Sequence, residues 1–276
     1  MRARTLVCSW AAVFVMAAVV VALSSTATPA AESTWEKVKR TGALTIGAIR
    51  YPPYWLLDPA DNQWKGAMID MANDIGQTLG VKVVPVETTW GNVVLDLEAN
   101  KIDLQFGLQA TPKRAMSIDF AGPLYELSYV MINNKNFKGR TWDDYNKPDV
   151  KIAVQMGSSM ELAVKRFAPK AQRIELKDAS DVVLAVQSGR ANTLSEMTMG
   201  GLMAKARNPD LGEFVQPTPV RSLPSYAGVR HDTDKMFRDF IERWAEYNRL
   251  LGHVETWLKK SMSTVGVTDL PEGLTF

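Results

Sequence analysis

"GAMIDMANDIGQTLGVKVVPVE", Gly66–Glu87, decides the fold class. Met68, Ile69, Met71, Ala72, Ile75 and Leu79 recur at helical spacing, and Gly80 marks the helix end. "VKVVPVE" then reads as a strand. Upstream, "GALTIGAIR" (Gly42–Arg50) reads as a buried strand. "YPPYW" (Tyr51–Trp55) follows as a rigid turn, because consecutive prolines forbid helix and strand ladder alike. Downstream, "WGNVVLDLEAN" (Trp90–Asn100) reads as a helix and "KIDLQFGLQ" (Lys101–Gln109) as a strand. Strand alternating with helix predicts an α/β fold with a mainly parallel sheet.

The rhythm returns further along. "VKIAVQMG" (Val150–Gly157) reads as a strand, "SSMELAVKRF" (Ser158–Phe167) and "SDVVLAVQSG" (Ser180–Gly189) as helices, and "RANTLSEM" (Arg190–Met197) as a short strand. "LDLEANKIDLQFG" and "LAVQSGRANTLSE" share one plan: a helix, a small polar break with a basic residue, then a strand. The echo predicts two lobes of similar build. From Thr233 to Met262 the chain reads as helical; Met236, Phe237, Phe240, Ile241, Trp244, Leu250 and Leu251 mark one apolar stripe, continued after Gly252 by Val254, Trp257 and Leu258, that suits core packing.

The 276 residues begin with Arg2 and Arg4, an apolar run from Leu6 to Leu23 and then "SSTATPAAES". Residues 1–31 are therefore expected to be a secretory signal peptide, cleaved near Ala30 or Ala31. Removing Arg2 and Arg4 from 32 basic residues leaves 30 against 30 acidic ones, so the mature chain has no net charge and no nucleic-acid surface is expected. The single cysteine, Cys8, lies in the expected signal, which leaves the mature chain without disulfide or thiol chemistry. His231 and His253 have no metal-like neighbours in sequence, and no G-x-S-x-G, phosphate loop or zinc spacing appears. No metal, no cofactor and no catalytic residue is expected.

"LQATPKRAMSIDF" (Leu108–Phe120) carries the functional question. Thr111 and Pro112 read as a helix start, which puts Lys113 and Arg114 at the end of the dipole that favours anions. An arginine there makes sense if it awaits a carboxylate, which its guanidinium fork grips with two parallel charge-assisted bonds. The bland alternative is a surface arginine, or one paired with Asp119. In "QMGSSMEL", Gly157 permits a tight turn, and Ser158 and Glu161 have capping-box spacing after a strand. Ligands gather at such strand ends in open α/β sheets. Plain helix capping explains this loop equally well.

As a set, "GALTIGAIRYPPYW", "GAMIDMANDIGQTLG", "W…LEANKIDL", "TPKR…IDFAGPLYE", "KIAVQMGSS" and "VQSGR" resemble the periplasmic polar amino-acid-binding proteins that serve ABC importers. The resemblance spans nearly all of the mature chain. It implies a two-lobed type II periplasmic-binding fold, each lobe a mainly parallel sheet flanked by helices, joined by a two-crossover hinge. Lobe one is expected at 35–132 and 224–276, lobe two at 133–223, with crossovers near "YVMINN" and "SYAGVR". A monomer is expected that captures a small carboxylate, an amino acid or related organic acid, and delivers it to a permease in the inner membrane.

By the same resemblance, Tyr51 and Trp90 are walls of the ligand site, and Gly107 and Gln109 are contacts. Arg114 grips the α-carboxylate, and Ser158 and Ser159 are the second lobe's contribution to it. One position departs from the pattern. Where the family carries an aspartate for the ligand's ammonium, this chain has Met197, and Glu196 stands one residue early. Neighbouring side chains in a strand face opposite ways. Either a bulge re-aims Glu196 or the ligand lacks an α-amino group, and the missing charge favours the second. An enzyme is the alternative: dehydratases acting on prephenate-like acids share the scaffold, and "VETTWGNVVLDLEANKIDL" resembles their first lobe. Their catalytic glutamate falls here at Gly200.

Overall fold

A computed structural model describes residues 32–268; the expected signal peptide lies outside them. The chain runs α1 (Thr34–Thr41), β1 (Ala43–Ala48), the short pair β2 (Leu56–Leu57) and β3 (Trp64–Lys65), α2 (Ala67–Leu79), β4 (Lys82–Glu87), α3 (Val93–Glu98), β5 (Leu104–Leu108), the single turn α4 (Pro112–Ala115) and the long β6 (Ile118–Asn133). It continues with α5 (Trp142–Tyr145), β7 (Lys151–Gln155), α6 (Ser159–Phe167), β8 (Gln172–Leu176), α7 (Ala179–Gln187), β9 (Thr193–Met197), α8 (Thr198–Arg207), β10 (Glu213–Val215), β11 (Ser222–Arg230), α9 (Met236–Leu250) and α10 (His253–Ser263).

The strand order is β4-β1-β5-β11-β6-β9-β7-β8, with β10 also on β6. Two parallel groups, β4-β1-β5 and β9-β7-β8, form the sheets of the two lobes. Antiparallel β6 and β11 join them. From Ile118 to Ser128, β6 pairs with β11; from Tyr129 to Asn133 it pairs with β9. The α/β alternation read from the sequence is thus realised, and β6 and β11 are the two strands that link the lobes.

Most local signals behave as their physics requires; of the expected C-terminal stripe, Phe237, Ile241, Trp244, Val254 and Leu258 are buried, but Met236, Leu250 and Leu251, at the two ends of α9, are exposed. In α2, Met68, Met71, Ala72, Ile75 and Leu79 are buried, and Gly80 closes the helix in the left-handed region at φ 68°. The opening Gly66 has φ 112°, and a Cβ there would lie 2.3 Å from Pro53 O and 2.4 Å from Tyr54 O. Only glycine lets α2 start this close to the proline turn. Ser261 of α10 tightens the junction: its hydroxyl donates to Pro53 O at 2.5 Å and accepts from Ala67 N–H at 3.1 Å. Tyr51 and Trp55 exchange backbone bonds at 3.3 and 3.1 Å. The Tyr51–Trp55 turn is therefore clamped between α2 and α10, and this aims its aromatic rings.

Candidate functional site

Tyr51, Tyr54, Trp55, Met68, Trp90, Gly107, Gln109, Arg114, Tyr125, Leu127, Ser158, Ser159, Met160, Met197 and Ser225 line one narrow cavity, about 480 Å³ of empty volume when the open solvent at its mouth is included. Eight of the nine residues picked out by sequence meet here. The ninth, Glu196, does not line it.

The apolar wall is a ladder of tyrosines. Tyr51 stacks on Tyr54 with centroids 5.8 Å apart, and Tyr54 on Tyr125 at 6.3 Å. Trp90 meets Tyr51 edge-on at 6.0 Å. Gly107, at φ +85°, ends β5 beneath Trp90 and Tyr125. Burial pushes all three tyrosine hydroxyls up, that of Tyr125 to about 12, so they stay protonated. Tyr54 Oη and Trp90 Nε1 are sealed from solvent without a hydrogen-bond partner.

The polar end is built around Arg114. Thr111 caps α4 by accepting from Arg114 N–H at 3.3 Å, as the sequence predicts. The helix is a single turn, so it has little dipole to oppose the cation. The guanidinium donates from Nη1 to Gln109 O at 3.3 Å and from Nη2 to Gly157 O at 3.2 Å, and so joins the end of β5 to the start of α6. Among the described residues no carboxylate pairs with it. Asp119, the alternative partner, is taken by His231 at 2.9 Å and Lys235 at 2.5 Å. Burial pulls the Arg114 pKa down, opposed by the nearby Tyr129.

On the facing side, Ser158 caps α6, accepting from Glu161 N–H at 3.3 Å. The reciprocal half of the capping box does not form. The Glu161 carboxylate instead accepts from Gly157 N–H at 2.6 Å and pairs with Lys165. Gly157 holds φ +75°, and its backbone abuts Gly91. Burial raises the Tyr129 hydroxyl, opposed by a bond to Ser159 and the charge of Arg114.

Glu196 and Met197 part as alternation demands. Met197 faces the cavity. Glu196 is buried behind Tyr51, whose hydroxyl donates to its Oε2 at 2.5 Å; Met197 N–H adds a second bond at 3.1 Å. Burial lifts the Glu196 pKa from 4.5 to about 7. Its outer side belongs to a neighbouring groove with Arg50, Asp178 and Arg207. Gly200 makes room for this pair, since a Cβ there would lie 2.0 Å from Tyr51 Oη.

Tyr54 and Tyr125, which line the cavity, and Tyr129, which backs Ser159 and Arg114, are residues that sequence reasoning missed. Tyr125, Leu127 and Tyr129 recur at period two on β6, a strand signal that would have put them on one face. Among the described residues, no group of three or more His, Cys, Asp or Glu is placed to hold a metal ion.

Residues 44–259 match the family described as bacterial extracellular solute-binding proteins, family 3. A probable histidine-binding protein of Campylobacter jejuni is 29% identical over 228 residues, covering 80% of this chain and 85% of that protein. A cyclohexadienyl dehydratase of Pseudomonas aeruginosa is 22% identical over 246 residues, covering 86% and 90%. Among solved structures, an ancestral amino acid-binding protein, a precursor of cyclohexadienyl dehydratase, is 28% identical with a TM-score of 0.75, over 83% of this chain and all of that one. With this fold and a cavity between its two sheets, the chain belongs to the family 3 bacterial extracellular solute-binding proteins, and its role is to bind a solute.

Proposed function

We propose that the protein captures a small carboxylate between two lobes, residues 35–132 with 224–276 and residues 133–223, and delivers it to an ABC-transporter permease in the inner membrane. It does so as a periplasmic monomer freed of residues 1–31, without metal or cofactor, and it is not an enzyme. The change of partner along β6 between Ser128 and Tyr129 supports a first crossing slightly ahead of the "YVMINN" stretch. One observation carries the carboxylate: Arg114 lines the cavity, and among the described residues its guanidinium has only two backbone carbonyls as partners. A fork with N–H groups to spare, partly desolvated and without an anion, fits a bidentate carboxylate. Ser158 and Ser159 complete the grip from the α6 side. The likeness to amino-acid-binding proteins supports the same ligand class.

Ligand contacts on both faces of one cleft favour closure. Mass spectrometry of molecules released from purified protein should reveal a carboxylic acid, and scattering should show a smaller radius when it is added back. Recovery of a tightly held ligand without a carboxylate would sink the proposal.

A second reading, a dehydratase, has one feature in its favour: Glu196 is buried, and burial holds its pKa up at about 7, where a general acid is effective. Tyr51 separates that acid from the cavity, and Gly200 offers no carboxylate. Incubation with prephenate should leave it unconverted; turnover would establish the enzyme instead.

A further inference from the structure

Of the fifteen residues lining the cavity, Arg114 alone carries charge. A carboxylate neutralises it. An amino acid would bring an ammonium as well, and the closed site would then hold an extra positive charge with no anion. Burying an unpaired charge costs several kcal/mol. The rings of Tyr51 and Trp90 can offset part of that through cation–π attraction, which leaves a deficit. Glu196, whose charge is felt at Tyr54, offers a ligand ammonium no direct contact, since it does not line the cavity. Glu196 lies behind Tyr51, and its Oε2 already accepts from Tyr51 O–H and Met197 N–H.

The cavity offers the opposite chemistry. Trp90 lines the cavity, and its Nε1, sealed just outside the open space and unpartnered among the described residues, can only donate. Tyr54 Oη, also unpartnered, can donate or accept and so favours neither ligand. A carbonyl or hydroxyl oxygen on the ligand satisfies the indole N–H; an ammonium cannot. The remaining walls, Trp55, Met68, Tyr125, Leu127, Met160 and Met197, suit an apolar or aromatic body.

We infer that the solute is a monocarboxylate whose second polar group is an oxygen, a 2-keto or 2-hydroxy acid with an apolar or aromatic body, and that amino acids are discriminated against. This rests on the carboxylate reading above. The test uses full-length mature protein, unfolded and refolded to strip any carried ligand. Phenylpyruvate and phenyllactate are compared with phenylalanine, and 2-oxo- and 2-hydroxy-4-methylpentanoate with leucine, by thermal shift and calorimetry. The acids should bind at least about a hundredfold more tightly than their amino counterparts, a difference of roughly 2.7 kcal/mol. Met197→Asp, which sets an anion in the wall, should narrow or reverse that preference. Binding of the amino acids alone, or equal binding within each pair, overturns this inference and leaves the carboxylate reading standing. No binding by any acid in the panel, amino acids included, overturns both.

Discussion

Replacing Glu196 by Gln should change how stability responds to pH. Burial holds the carboxyl at about 7 against 4.5 in the exposed chain. The folded state therefore keeps a proton that the unfolded state releases between those values. Stability is then highest below the lower value, falls as pH rises through the window, and carries the whole penalty above the folded pKa. At about 1.4 kcal/mol per unit, roughly 2.5 units amount to about 3 kcal/mol. Integrated from about pH 5 to about pH 8, the loss is roughly 2.5 kcal/mol.

Gln keeps the oxygen that accepts from Tyr51 and Met197 but cannot ionise. Urea unfolding of both proteins should show curves that converge only below about pH 4. Between about pH 5 and about pH 8 the variant's advantage should grow by roughly 2.5 kcal/mol, or about 5–10 °C in Tm for a chain of this size. Other titrating groups cancel in the difference. Tyr51→Phe, which removes the bond that lowers this pKa, should push the window higher still. Parallel wild-type and Gln curves, or a variant that loses ground as pH rises, would refute the buried-acid account.

Arg114→Ala should weaken carboxylate binding by at least about 2 kcal/mol, the scale for removing one partner of a buried charge pair. Its Tm should hold within a few degrees, since no ion pair is lost, and unchanged affinity in calorimetry would end the clamp model. Gly157→Ala places a Cβ 2.9 Å from Gly91 Cα at φ +75°; scattering should show a larger radius at ligand saturation and calorimetry weaker binding, whereas a wild-type radius would separate this contact from closure. Asp103 is fully buried and accepts from Thr45 N–H at 2.9 Å, Thr45 Oγ1 at 2.6 Å and Lys37 Nζ at 2.8 Å. Asp103→Ala should lower unfolding free energy by about 3–5 kcal/mol, and a loss under about 1 kcal/mol would show that the neighbours find other partners.

What was legible in the sequence was local. Apolar spacing placed α2, α6, α7 and α9, and Gly80 ended α2, because a helix or strand shows its buried face within a dozen residues. Thr111 and Pro112 announced α4, and the misplaced cation there announced Arg114. The motif set then brought seven further residues to the same cavity. Alternation also required Glu196 and Met197 to point apart. Which of them faces the cavity was not local: it follows from the register of β9 on β6, Val130 opposite Glu196 and Tyr129 opposite Met197. Tyr51 reads as a wall, yet its hydroxyl reaches a carboxylate 145 positions away and shields it from the cavity. Asp119 passes over nearby Arg114 for His231 and Lys235, more than a hundred positions on. A charge is claimed by whichever partner the packed chain carries nearest, and that distance exists only after the sheets have paired. So the helices, the strands and the arginine at the start of α4 belong to the sequence alone, while the isolation of Glu196 and the lone charge of the cavity belong to the tertiary structure.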